Sequence, residues 1–174
     1  MTPDRFAAIE LLVLDVDGVL TDGRVVYTAA GDEVKSFHVR DGSGLKFWRQ
    51  SGKKTAILSG RSSPAVDRRA AEIGILTVVQ GAGDKLPAFR RILKEFGLRP
   101  DQACAVGDDL PDLPVLRHCG LGVAVADAVP ELKAVAAHVT TAAGGHGAVR
   151  EAVEWLMRGQ GTWAGVVEEL RRQG

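Results

Sequence analysis

The chain has 174 residues, enough for one domain with a sizeable core and too few for two comfortable ones. Lys plus Arg and Asp plus Glu both number 22, and this zero formal charge argues against nucleic acid as the main partner. Hydrophobic residues at 45% give an ordinary globular balance, no apolar run approaches the roughly 20 residues that span a bilayer, and the opening MTPDRFAAIE lacks a signal-peptide core, so a cytoplasmic protein without membrane partners is expected.

In chain order, Leu11-Leu12-Val13-Leu14 reads as a buried parallel strand that ends on Asp15. Asp17 and Gly18 follow. Two acids on one side of a strand end, beside a glycine that permits a tight turn, suit a hard cation. Residues 24–39 are expected to form a β-hairpin, with strands at Val25–Tyr27 and Glu33–Val39 around Ala29-Ala30-Gly31-Asp32. Asp41 is then expected to cap a helix from Gly42 to Gln50, closed by Gly52.

A strand at Lys54–Leu58 ends on Ser59-Gly60-Arg61, and a helix at Pro64–Ile73 stops at Gly74. A strand at Leu76–Val79 leads to Asp84, an N-cap for the helix Lys85–Phe96, whose Leu86, Phe89, Ile92, Leu93 and Phe96 form one apolar stripe. Strand Ala103–Val106 stops at Gly107-Asp108-Asp109 and precedes a short helix near Pro111–Arg117. Strand Leu121–Val125, a helix near Pro130–Ala136 and a short strand near His138–Thr140 come next. The loop Gly144-Gly145-His146-Gly147 precedes a helix at Ala148–Met157, and the tail from Gly159 to Gly174 is expected to be partly helical and loosely attached. Cys104 and Cys119 read as small buried thiols rather than a disulfide, and the four histidines show no zinc-ligand spacing.

Strand and helix alternate from residue 54 onward, which predicts an α/β fold: a three-layer, Rossmann-like parallel sheet with helices on both faces. In such a sheet ligands sit beyond the carboxyl ends of the strands. Asp15 and Asp17, then Ser59, then Lys85, then Asp108 and Asp109 follow four strands and so share one edge. Two bare charges about 4 Å apart repel by roughly 4 kcal/mol at an effective dielectric near 20. A divalent cation turns that repulsion into binding, and oxygen-only ligands favour Mg²⁺, with calcium or manganese as competitors. Opposite the metal, the Ser59 hydroxyl and Lys85 ammonium leave room for a phosphoryl group. An ionised Asp15 could attack phosphorus, and Asp17 could protonate the leaving oxygen and then take a proton from water. A polar turn at each strand end is the plain alternative; four such signals in order make it hard to sustain.

DVDGVLTD, Ser59-Gly60-Arg61, Lys85 and Gly107-Asp108-Asp109 resemble the four motifs of the haloacid dehalogenase superfamily of phosphohydrolases. Within it, VRDGSG, QGAGDK, VGDDLPD, VAVADA and GGHGAVRE are most similar to the phosphatases of 3-deoxy-D-manno-octulosonate 8-phosphate, over about residues 8–160. The resemblance implies a Mg²⁺-dependent phosphomonoesterase that releases the octulosonate and phosphate, a step toward lipopolysaccharide. It implies Asp15 as nucleophile and Asp17 as general acid/base. It implies Mg²⁺ held by the Asp15 carboxylate, the Asp17 main-chain carbonyl and Asp108, with Asp109 close behind. Ser59, Gly60 and Lys85 would hold the phosphoryl end, Arg61 fits the carboxylate of an acidic sugar, and Arg40 and Arg150 are further candidates for substrate contact. It also implies a homotetramer built through the hairpins. Two positions depart from the family pattern: His146 stands where arginine is expected, and Ser59 replaces the commoner threonine.

Only 41 residues separate Asp17 from Ser59 and 25 separate Ser59 from Lys85, so neither gap holds a cap domain. The whole chain, 1–174, is expected to be one phosphatase domain. Three alternatives stand beside this reading. They are a phosphatase for a related nonulosonate 9-phosphate, a non-catalytic phosphatase-like oligomerisation module, and a signalling receiver domain. The receiver is disfavoured because the acidic pair opens the chain and the second pair follows Lys85.

Overall fold

The computed structural model describes residues 3–172. Among the described residues there are eight strands: β1 Leu11–Leu14, β2 Val26–Tyr27, β3 Glu33–Val34, β4 Lys54–Leu58, β5 Thr77–Val79, β6 Ala103–Gly107, β7 Leu121–Ala124 and β8 His138–Val139. The α-helices among the described residues are α1 Pro3–Ala7, α2 Val39–Gln50, α3 Pro64–Ile73, α4 Lys85–Phe96, α5 Leu113–His118, α6 Pro130–Lys133, α7 Ala148–Gly159 and α8 Trp163–Arg172.

Six strands form one sheet in the order β5-β4-β1-β6-β7-β8, with every pairing parallel. Strand β1 lies between β4 and β6, with Leu11 opposite both Lys54 and Ala103. Its four residues are fully buried, as a continuous apolar run covered on both faces requires. Helix α2 packs on α7, and α4 on α5, so helices cover both faces of the sheet. The expected α/β architecture is therefore present, and nothing resembling a cap interrupts the described residues between Asp17 and Lys85.

Several local features differ from the sequence reading. The hairpin ladder is only two residue pairs long, Val26 with Val34 and Tyr27 with Glu33. Residues 35–38 leave it because Lys35 turns inward to pair with Asp17. Helix α2 starts at Val39, not after an Asp41 cap. The Asp41 carboxylate is buried and accepts the Arg150 N–H of α7 at 2.8 Å, so it caps a helix 109 residues away in sequence. Helix α1 was not expected. A 3₁₀ turn, Leu110–Asp112, stands before α5 where one continuous helix is predicted.

The tail is more firmly placed than expected. Trp163, the first residue of α8, is buried against the Phe47 ring at 5.9 Å and the Arg150 guanidinium at 5.0 Å. Most of the remaining α8 residues are exposed. The last two residues of the expected tail lie outside the described residues. Cys104 and Cys119 are both free thiols, as expected.

Candidate active site

The strand-end residues converge. One cleft of about 310 Å³ is lined by Asp15, Asp17, Ser59, Gly60, Arg61, Lys85, Asp108, Asp109 and Asp112, with Gly23 and Pro111. Asp15 and Asp108 directly follow the ends of β1 and β6. Asp15 continues β1 by donating its N–H to the Val106 carbonyl at 3.2 Å. The chain then turns tightly, and the Val16 carbonyl accepts N–H groups from Val19, Leu20 and Thr21. Gly18 makes this turn possible at φ +87°, and a Cβ there would lie 2.0 Å from the Asp108 carboxylate. The close approach of β1 and β6 loops thus depends on a residue without a side chain.

Lys85 opens α4, whose N-terminus is capped by Asp84. Its ammonium is buried, 2.8 Å from Asp15 Oδ1 and 2.7 Å from Asp112 Oδ1. An ammonium has three N–H donors, so one remains for an incoming oxygen. Burial opposes its charge, but the two facing carboxylates outweigh that and the Lys85 pKa is raised. Ser59 is buried at the end of β4, and its Oγ accepts the Arg61 N–H at 3.3 Å.

Asp112 was not singled out from the sequence. Besides holding Lys85, its other oxygen accepts the Asp108 N–H at 3.1 Å. Gly107 allows this fold-back, since a Cβ there would lie 2.6 Å from Asp112. Its position on a 3₁₀ turn four residues after Asp108 is the signal that reading Pro111 as a helix start obscures. Asp109 lines the cleft but is exposed, and caps the same 3₁₀ turn through the Leu110 N–H.

Oxygens of Asp15, Asp108 and Asp112 all lie within 4.8 Å of one another. Burial, reinforced by the Asp112 charge, lifts Asp15 from 3.8 to about 6. Burial, reinforced by Asp15 and Asp112, lifts Asp108 to about 7. Mutual repulsion of this kind is relieved by a hard divalent cation, and the all-oxygen donor set fits one.

The glycine loop supports the turn after β1 from behind. Gly144 backs directly on Gly18, where a Cβ would lie 1.7 Å from the Gly18 carbonyl oxygen. The Gly145 N–H donates to the Val19 carbonyl at 3.0 Å. His146 is exposed and turns back to the Gly144 carbonyl, 2.8 Å from Nδ1, rather than lining the cleft. Arg40 is exposed on the first turn of α2 and Arg150 is held by Glu154 at 2.7 Å; neither lines the cleft.

Residues 69–152 match the family of haloacid dehalogenase-like hydrolases. A relative from Salmonella typhi described as a 3-deoxy-D-manno-octulosonate 8-phosphate phosphatase is 46% identical over 153 residues, covering 88% of this chain and 81% of the relative. The chain belongs to this phosphatase family. A Haemophilus influenzae member is 42% identical, covering 88% of the chain and 85% of that protein. The crystal structure of the Moraxella catarrhalis phosphatase in complex with magnesium, phosphate and KDO superposes with a TM-score of 0.94 at 40% identity, covering 97% of both chains. A cobalt-bound Haemophilus influenzae structure gives a TM-score of 0.88 at 41% identity, covering 91% of this chain and 93% of that one.

Proposed function

We propose that the chain is a Mg²⁺-dependent phosphomonoesterase that hydrolyses 3-deoxy-D-manno-octulosonate 8-phosphate to 3-deoxy-D-manno-octulosonate and phosphate. The observation that carries the reading is the meeting of Asp15, Asp108 and Asp112 around Lys85, with Ser59, in one cleft. The substrate comes from the names of the relatives, two of which are 46% and 42% identical to this chain.

In this reading Asp15 is the nucleophile. Its carboxyl, lifted to about 6, is mainly ionised at neutral pH. Attack on phosphorus forms an acyl phosphate on Asp15 while the bond from phosphorus to the sugar oxygen breaks. Asp17 gives its proton to that departing oxygen. Water then attacks phosphorus, Asp17 takes the water's proton, and phosphate leaves with the Asp15 carboxylate restored. Lys85 and Ser59 hold phosphoryl oxygens, and Lys85 also keeps Asp15 aimed through its 2.8 Å contact. Asp15, Asp108 and the Asp17 main-chain carbonyl would hold Mg²⁺, with Asp112 beside them. When bound, Mg²⁺ neutralises the acidic cluster and polarises a phosphoryl oxygen.

We read the hairpin as an assembly element and the protein as a cytoplasmic homotetramer. In favour, Val25, Val26, Tyr27 and Val34 are all at least 45% exposed on a ribbon of two residue pairs, which is marginal by itself. The test of the activity is phosphate release from a panel of sugar acid phosphates with and without Mg²⁺. Release from the octulosonate 8-phosphate only with Mg²⁺ is expected. Equal release from nonulosonate 9-phosphates would overturn the substrate and leave the reaction class standing.

A further inference from the structure

Lys35 is a buried cation behind Asp17, which lines the cleft, and the reaction as described does not use it. It lies one residue past the hairpin ladder, and its side chain is 1% exposed. Its ammonium pairs with the Asp17 carboxylate and lies 3.6 Å from Glu33 Oε1. Arg61 completes a group of four charges: its guanidinium is 2.7 Å from Glu33 Oε1 and 3.6 Å from Asp17 Oδ2. Glu33 belongs to the hairpin and Arg61 to the loop after β4, so the group joins the two.

We propose that Lys35 is a specificity-determining residue that, with Arg61, binds the carboxylate of the sugar acid, and that Asp17 stands in for that carboxylate when the site is empty. This rests on the phosphatase reading above. Three observations carry it. First, the hairpin does not need Lys35, because the ladder ends at Val34. Second, burying an ammonium is costly unless a carboxylate faces it. Of its two carboxylate partners, Asp17 is the one that must serve the departing oxygen. An Asp17 turned to that oxygen leaves Lys35 with Glu33 alone, at 3.6 Å. Third, Lys35 and Arg61 both face the Asp17 carboxylate, and Asp17 and Arg61 line the cleft, so the two cations lie beside the group that serves the departing oxygen. Two cations shared by one remaining carboxylate complement one further anion, and a sugar acid supplies it. The hairpin is then part of the substrate site of its own chain and not only an assembly element.

The test is steady-state kinetics on two substrates, the octulosonate 8-phosphate and p-nitrophenyl phosphate, which carries no carboxylate. Wild type, Lys35→Met, Lys35→Gln and Lys35→Arg are compared. Charge-assisted contacts of this kind convert to a roughly ten- to hundredfold preference. The ratio of kcat/KM between the sugar acid phosphate and p-nitrophenyl phosphate is expected to fall by that factor in Lys35→Met, mainly through KM. It should recover in part in Lys35→Arg. Lys35→Gln keeps length and polarity and gives the same readout if the Met variant does not fold. An unchanged ratio in folded variants overturns the inference while leaving the phosphatase reading intact. A wild type with no preference between the two substrates overturns the inference and the octulosonate assignment together, and leaves the phosphatase chemistry standing.

Discussion

Replacing Asp112 by asparagine removes one charge and keeps the side-chain shape. The carboxylate makes two contacts, to Lys85 at 2.7 Å and to the Asp108 N–H at 3.1 Å. An amide has one oxygen, so either Lys85 or Asp108 loses its acceptor whichever way the group is turned. Losing one charge-assisted bond at a buried site costs about 2 kcal/mol, or about 4–8 °C in Tm for a chain of this size. Weakened support of the metal's ligands should raise the Mg²⁺ concentration for half-maximal activity roughly ten- to hundredfold. A second effect has the opposite sign. The Asp112 charge helps hold Asp15 up at about 6, so in the metal-free variant Asp15 should ionise at a lower pH. Differential scanning calorimetry, a Mg²⁺ titration of phosphate release and carboxyl NMR read the three quantities separately. An unchanged Mg²⁺ requirement with an unchanged Asp15 titration would refute the placement of Asp112 in the metal-binding cluster.

Three further outcomes are expected. Asp15→Asn should lower phosphate release by at least about three orders of magnitude at saturating Mg²⁺, because an amide is no nucleophile here. Metal-free protein should lose stability as pH rises from about 4 to about 7. Over that window the unfolded carboxyls ionise near 3.8 while Asp15 and Asp108 keep their protons to about 6 and about 7, so the unfolded state binds fewer protons. Thermal melts across this range, with and without Mg²⁺, should therefore show a metal-induced Tm rise that grows with pH. Gly144→Ala should reduce both Tm and activity, since its Cβ would sit 1.7 Å from the Gly18 carbonyl oxygen and displace the turn carrying Asp15 and Asp17; wild-type kinetics in that variant would contradict the buttressing role of the loop.

The core of the fold could be read from residues 11–14, 56–58, 103–106 and 121–125, because buried parallel strands are continuous apolar runs. The same pattern placed Asp15, Ser59, Lys85 and Asp108 at one sheet edge, and they do meet there. Residues whose partners are distant in sequence were not legible. Asp41 has the form of a local helix cap, yet it caps α7, because that contact exists only once α2 and α7 pack. Lys35 looked like part of a hairpin strand, and only the folded chain shows that its ammonium reaches Asp17. Asp112 was hidden by a 3₁₀ turn that folds it back under Asp108. Arg40, a candidate for substrate contact, lies on the exposed start of α2 and so outside the cleft of this chain. The tail's attachment depended on one buried residue, Trp163, whose pocket is made by Phe47, Arg150 and Arg158 on two other helices.

The central claim is that Asp15 carries the phosphoryl group. Quenching the enzyme during turnover with Mg²⁺ and reducing it with borohydride converts an acyl phosphate on aspartate to homoserine. Peptide mass spectrometry should then find homoserine at position 15 and at no other aspartate. Undiminished phosphate release with Asp15 unmodified, or with the reduced residue at Asp17, Asp108 or Asp109 instead, would contradict the mechanism.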